Sequence, residues 1–119
     1  MSLSISERER RALRGYVANL LKALPGRVER VILFGSKSRG EGGRTSDTDV
    51  AVVVSGRKSP SLRFAIAESA FGPIADFGVD ISPLLISSIA FRSNAPLIKN
   101  IKKEGIEIWN PRKNTLAAA

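Results

Sequence analysis

Residues 31–54 read VILFGSKSRGEGGRTSDTDVAVVV, and the order of their chemistry is strand, turn, acid pair, strand. Val31 to Phe34 is a β-branched and aromatic run that stops at a glycine, which suits a buried strand. Gly35 lets the backbone turn sharply and lets a ligand approach the main chain. Ser36 offers a hydroxyl and an N–H where a short helix can begin, and free N–H groups at such a start bind phosphate. A plain strand-to-helix turn reads the same way, so Gly35-Ser36 alone does not decide between them. Lys37, Arg39 and Arg44 follow as cations that can offset charge developing on a phosphate.

Asp47 and Asp49 are two residues apart. On an extended chain, side chains at i and i+2 share a face. At roughly 5 Å, with an effective dielectric of ~20, two carboxylates repel by about 3 kcal/mol. A fold avoids that unless a cation lies between them, and oxygen ligands suit Mg²⁺ or Mn²⁺. The alternative is that Ser46-Asp47 closes a turn and Asp49 begins a solvated strand. The Gly-Ser turn before the pair and the Val50–Val54 run after it favour metal.

Two aspartates rarely hold two ions, so a third acid is needed. Asp80, in Gly78-Val79-Asp80-Ile81-Ser82-Pro83-Leu84, lies in an apolar run that would pair as a neighbouring strand. An acid among Val, Ile and Leu is costly to bury unless paired or metal-bound. Alternatively it faces solvent on an edge strand, which Pro83 fits. Asp80 is also the natural base for an acceptor hydroxyl.

Gly35-Ser36-Lys37-Ser38-Arg39-Gly40 followed by Ser46-Asp47-Thr48-Asp49-Val50 resembles the G-S-x-x-R-G…S-D-x-D signature of the DNA polymerase β-type nucleotidyltransferase superfamily. The size resembles its minimal members, the MNT domains paired with a HEPN partner in toxin–antitoxin modules. The likeness spans roughly Arg27 to Trp109. It implies the following roles. Gly35 and Ser36 hold a nucleoside triphosphate, ATP, with Lys37, Arg39 and Ser46 in the same binding motif. Asp47 and Asp49 hold two Mg²⁺ or Mn²⁺ ions, and Asp80 is the third acid. A tyrosine of a HEPN-like partner protein receives AMP. Ser38 departs from the alanine frequent at that place, and Glu41 to Thr45 is richer in glycine than usual. A Walker A loop is excluded, because Gly40 is followed by Glu41 rather than Lys-Ser/Thr.

The 119 residues fit one domain, and 43% apolar composition supplies a core. Lys and Arg number 19 against 11 acids, giving +8. Such a chain attracts nucleotides, nucleic acid, anionic membranes or an acidic protein, and charge alone does not choose. With no Cys there are no disulfides or thiolate metal sites, which fits a reducing cytoplasm. With no His, acid–base work falls to carboxylates, Lys, Arg or Tyr16. No apolar run approaches the ~20 residues of a membrane span, and the polar N-terminus carries no visible signal peptide.

Ser6 and Glu9 form a capping box opening a helix whose stripe is Leu13, Tyr16, Val17, Leu20, Leu21 and Leu24. Arg8, Arg10, Arg11 and Arg14 lie mostly off that stripe, as a solvated face or a nucleic-acid or partner surface. Pro25-Gly26 ends the helix. Strands follow over 27–34 and 49–55, and the continuous Val run predicts a strand covered on both faces. Ser59-Pro60 starts the next helix, with Gly72-Pro73 interrupting it and 74–77 adding a further turn. A third strand covers 79–86, with Asp80 near its start. Short helices around Phe91 and after Pro96 precede a fourth strand at 106–109. Leu97, Ile98 and Ile101 form the apolar side of the last helix, and Lys99, Lys102 and Lys103 its basic side.

The predicted fold is α/β (α+β), a small mixed sheet flanked by helices in a polymerase β palm-like nucleotidyltransferase arrangement. Residues 1–110 form one domain and 111–119 a frayed tail. The expected activity is metal-dependent transfer of a nucleoside monophosphate to a hydroxyl on a partner protein or other acceptor. Docking to a partner protein with little catalysis is the alternative, and nucleic-acid binding a weaker third.

Overall fold

Helix α1 (Glu7–Ala23) opens on a complete capping box. The Ser6 hydroxyl accepts from the Glu9 N–H at 3.0 Å, and the Glu9 carboxylate accepts from the Ser6 N–H at 2.8 Å. This satisfies two of the N–H groups a helix start leaves open. The computed structural model of the chain describes residues 5–39 and 47–117. Ala12, Leu13, Tyr16, Val17 and Leu20 form the buried stripe of α1.

That stripe packs on a five-stranded sheet. The strands are β1 (Val28–Phe34), β2 (Thr48–Val54), β3 (Ile81–Ser87), β4 (Ile106–Asn110) and β5 (Lys113–Asn114). Their spatial order is β3-β2-β1-β4-β5. β2 and β3 run parallel and the other pairs antiparallel, so the sheet is mixed. Alternation along β2 feeds two cores. Val50, Val52 and Val54 pack with α1 and with Leu62, Ile66 and Ala70. Ala51 and Val53 pack with Ile32, Ile86, Ile98 and Ile101 on the other face. Helices α2 (Pro60–Glu68) and α3 (Phe71–Phe77) join α1, while α4 (Ser88–Phe91) and α5 (Pro96–Glu104) lie on the second face. The valine run is therefore buried on both sides, as expected. A bulge at Glu29 shifts the β1–β2 register, which lets both Val28 and Val31 enter the α1 core.

Pro83 lies in β3, an edge strand, where a missing N–H is tolerated. The third strand begins at Ile81 rather than Val79, so Asp80 precedes it. The break between α2 and α3 falls at Ser69-Ala70, and Gly72-Pro73 lies inside the first turn of α3. The physical reason is that first-turn N–H groups have no helical partner, so proline removes nothing there. Gly78, at φ 65°, then ends α3 in the left-handed conformation. Of the α5 residues expected to be apolar and inward, Ile98 and Ile101 are buried, whereas Leu97 faces solvent.

Two helix side chains have structural duties that sequence did not reveal. The Tyr16 hydroxyl donates to the Ile66 carbonyl at 2.9 Å, and burial pushes its phenol well above the ordinary range, which removes Tyr16 as an acid–base candidate. Asn19 donates to the Ser69 carbonyl at 3.0 Å.

The expectation of a frayed segment after Pro111 does not hold through 113–117. β5 pairs with β4, a short 3-10 turn spans Thr115–Ala117, and Leu116 is fully buried in the α1 core. Arg10 donates to the Thr115 carbonyl at 3.4 Å and Arg14 to the Leu116 carbonyl at 3.2 Å, so two arginines of the α1 cluster hold this turn. None of the described helices is long and apolar enough to cross a membrane. Replacing Leu116→Ala should cost about 2–5 kcal/mol, as for other buried leucines. Chemical denaturation would read this; a loss near zero would mean the segment is a tail after all.

Candidate active site

β1 ends at Phe34, which pairs with Asp49 across the β1–β2 ladder. Gly35 then takes φ +74°, and Gly35–Lys37 makes one 3-10 turn. The turn is closed twice over: the Ser38 N–H reaches the Gly35 carbonyl at 3.2 Å, and the Ser38 hydroxyl donates to it at 2.8 Å. The serine that departs from the usual alanine thus stabilises the turn. A side chain at Gly35 would run into Asp49 Oδ2, so the carboxylate lies directly against the glycine α-carbon. The fold brings the two halves of the motif into contact.

Asp49 is half-buried and Asp47 exposed. Burial first, and then the Asp47 charge, push the Asp49 carboxyl above its ordinary 3.8. Desolvation of the charged form is the larger cause, and the like charge of Asp47 adds to it. Asp80 approaches through the backbone. β2 and β3 pair Thr48 with Ile81, and the Thr48 N–H donates to the Asp80 carbonyl at 2.7 Å. One register step earlier, Asp47 and Asp80 are neighbours. Thr48 and Ile81 both point into the α1 core, and Asp49 lies on the opposite face with Ala51. Among the described residues, however, no three Asp, Glu, His or Cys side chains gather closely enough to hold a metal ion. The acid pair is assembled; the third acid is adjacent in register but not joined to it. A pair of repelling carboxylates beside a glycine cradle is a donor set suited to a hard divalent cation.

The cations fall elsewhere than a phosphate-facing turn would suggest. Lys37 is 5% exposed, and its Nζ pairs with the Glu9 carboxylate at the start of α1. Burial works against ionised Glu9, but hydrogen bonds from Lys37 and from Ser6 outweigh it and hold its carboxyl below the ordinary value. Arg39 pairs with Glu104 at the end of α5, at 2.9 Å. The Ser36 side chain, Arg44 and Ser46 lie outside the described residues. Glu9 and Glu104 are the supporting residues that sequence reasoning missed. Glu9 was legible as a helix cap, but nothing along the chain links it to Lys37.

A profile of the nucleotidyltransferase domain matches residues 13–108. The chain belongs to the nucleotidyltransferase domain family. The match covers the acid pair, the turn and Asp80 together. No curated protein sequence matches this nucleotidyltransferase. Solved structures share its fold. A Sulfolobus solfataricus protein assigned as a nucleotidyltransferase aligns at 20% identity over 90% of this chain and 85% of that one, with TM-score 0.65. A toxin–antitoxin structure with AMP-PNP aligns at 20% identity over 90% and 76%, with TM-score 0.57. A complex of tri-AMPylated Shewanella oneidensis HEPN toxin with MNT antitoxin aligns at 18% identity over 88% and 74%, with TM-score 0.53.

An acid whose folded pKa is raised binds its proton more readily folded than unfolded. Ionising Asp49 therefore costs stability above its unfolded value of 3.8. Without added ligands, Asp49→Asn should melt higher than the parent protein at pH 7, with the gap closing as pH falls toward that value. Calorimetry across pH checks this, and a lower melting point for the variant at pH 7 would contradict it.

Proposed function

We propose that this nucleotidyltransferase moves AMP from ATP to a hydroxyl on a partner protein, releasing pyrophosphate. The contact between the Asp49 carboxylate and Gly35, with Asp47 beside it, carries the reading. It sets a concentrated negative charge against a backbone turn able to receive phosphate.

Asp47 and Asp49 would hold Mg²⁺ or Mn²⁺, which would offset their repulsion and screen the triphosphate charge. The Gly35–Lys37 turn, through its N–H groups and Ser36, grips the outer phosphates. For Ser46 and Arg44, which lie outside the described residues, a part in phosphate binding rests on the motif alone. Lys37 acts through the turn, fixing it to α1, while Arg39 sets the side nearest α5. Asp80, level with Asp47 just before the β2–β3 ladder begins, takes the proton of the acceptor hydroxyl. The acceptor oxygen then bonds to the α-phosphorus as the bond to the β-phosphate oxygen breaks and pyrophosphate leaves.

The acceptor proposed is a hydroxyl presented by a partner protein. A tyrosine of a HEPN-like partner fits, because structures sharing this fold include an AMPylated HEPN toxin bound to an MNT antitoxin. A toxin–antitoxin pairing in the cytoplasm, where ATP and Mg²⁺ are plentiful, is the setting proposed.

Thermal melting tests the site. Mg²⁺ with ATP at about 100 times its dissociation constant should add about 2.7 kcal/mol of apparent stability. The double change Asp47→Asn, Asp49→Asn should abolish that gain. If the parent protein shows no gain either, the domain acts by docking and the transfer reading is wrong. ATP labelled at the α-phosphate should leave its label on the partner, and label found only on free AMP or ADP would contradict AMP transfer.

A further inference from the structure

A cleft of about 450 Å³ opens between β1, β4, α4 and α5, lined by Arg30, Ile32, Phe91, Arg92, Lys102 and Glu107 among others. It lies on the same face of the sheet as Asp49, since Ile32 and Ala51 share that core. It is nevertheless a separate place. Arg30 is four residues before Phe34, the partner of Asp49, a distance of about 13 Å along a strand.

Its cations are held in position. The Arg30 guanidinium pairs with Glu107 at 2.7 Å and sits 5.4 Å from the centre of the Phe91 ring. Lys102 Nζ sits 4.8 Å from the same ring centre. Both distances fall within the range of cation–π attraction. Arg92 and Lys102 are exposed, and neither has an ion-pair partner among the described residues. Glu107 cancels Arg30, so two positive charges remain at the mouth of the cleft. A carboxylate would neutralise only one of them. A phosphate monoester, at about −1.5 to −2, matches both. The volume falls in the range of small-molecule sites, roughly 300–1,000 Å³.

We propose that this cleft binds a phosphate monoester, at a site distinct from the acid pair and beyond the transfer reaction. Arg92 and Lys102 contact the phosphate, Arg30 and Phe91 hold the framework, and Ile32 and Ile101 give an apolar floor. A free mononucleotide and the 5′-phosphate of an RNA share this chemistry.

Amide chemical shifts of the ¹⁵N-labelled full chain test it. The titrants are AMP, adenosine, and a trinucleotide with or without its 5′-phosphate. Phosphate-bearing titrants should move the Phe91, Arg92, Lys102 and Gly105 amides, whereas adenosine and the unphosphorylated trinucleotide should not. Arg92→Gln and Lys102→Gln should each weaken that binding about tenfold, as for loss of a charged hydrogen bond. Both side chains are exposed, so the variants should fold. The tighter binder of AMP and the 5′-phosphorylated trinucleotide identifies the source of the ligand. Equal shifts with adenosine, unchanged affinity in both variants, or shifts confined to Gly35 and Asp49 would each overturn the proposal.

Discussion

One contact organises this molecule: the Asp49 carboxylate against the α-carbon of Gly35. It forms because β1 and β2 pair Phe34 with Asp49 and the chain then turns through a left-handed glycine. No other residue would fit there, since a Cβ would collide with Oδ2 and the backbone conformation is strained for L side chains. The consequence is electrostatic. The fold holds Asp49 half-buried beside Asp47, where its charged form is disfavoured. Such an arrangement is retained at the expense of stability where a site needs the charge.

Around that contact, the surrounding charges act as braces. Glu9 and Lys37 tie the turn to the start of α1, in a place where either charge alone would be costly. Arg39 and Glu104 tie the following residues to the end of α5. The Ser38 hydroxyl closes the turn on itself. The turn is thus fixed from both faces of the sheet, by α1 on one and α5 on the other. The valine run of β2 sits between those layers, so the acid pair emerges from the most buried strand.

Much of this was legible in sequence because it is local. The Gly-Ser turn, the Asp-x-Asp spacing and the unbroken valines each state a backbone requirement within a few residues. The mixed sheet, the edge position of Pro83 and membership of the nucleotidyltransferase family followed. What was not legible is long-range. Glu9 and Lys37 are far apart in the chain and meet only because α1 packs where β1 ends. The burial of Leu116 depends on β5 folding back on β4, and its short polar surroundings read as a tail. Asp80 shows a subtler limit. Its run predicted a neighbouring strand, which β3 is, but not that the strand would begin two residues later. That offset leaves the Asp80 carbonyl bonded to Thr48, with the side chain outside any three-acid cluster among the described residues.

The central claim is that Asp47 and Asp49 form a repelling pair which a divalent cation relieves. Carbon-detected NMR of the side-chain carboxyls, titrated over pH with and without Mg²⁺, measures this directly. The account predicts that Asp49 titrates above 3.8 in the free protein and moves below that value when Mg²⁺ is added. An Asp49 that titrates at or below its ordinary value, and that Mg²⁺ leaves unchanged, would contradict it.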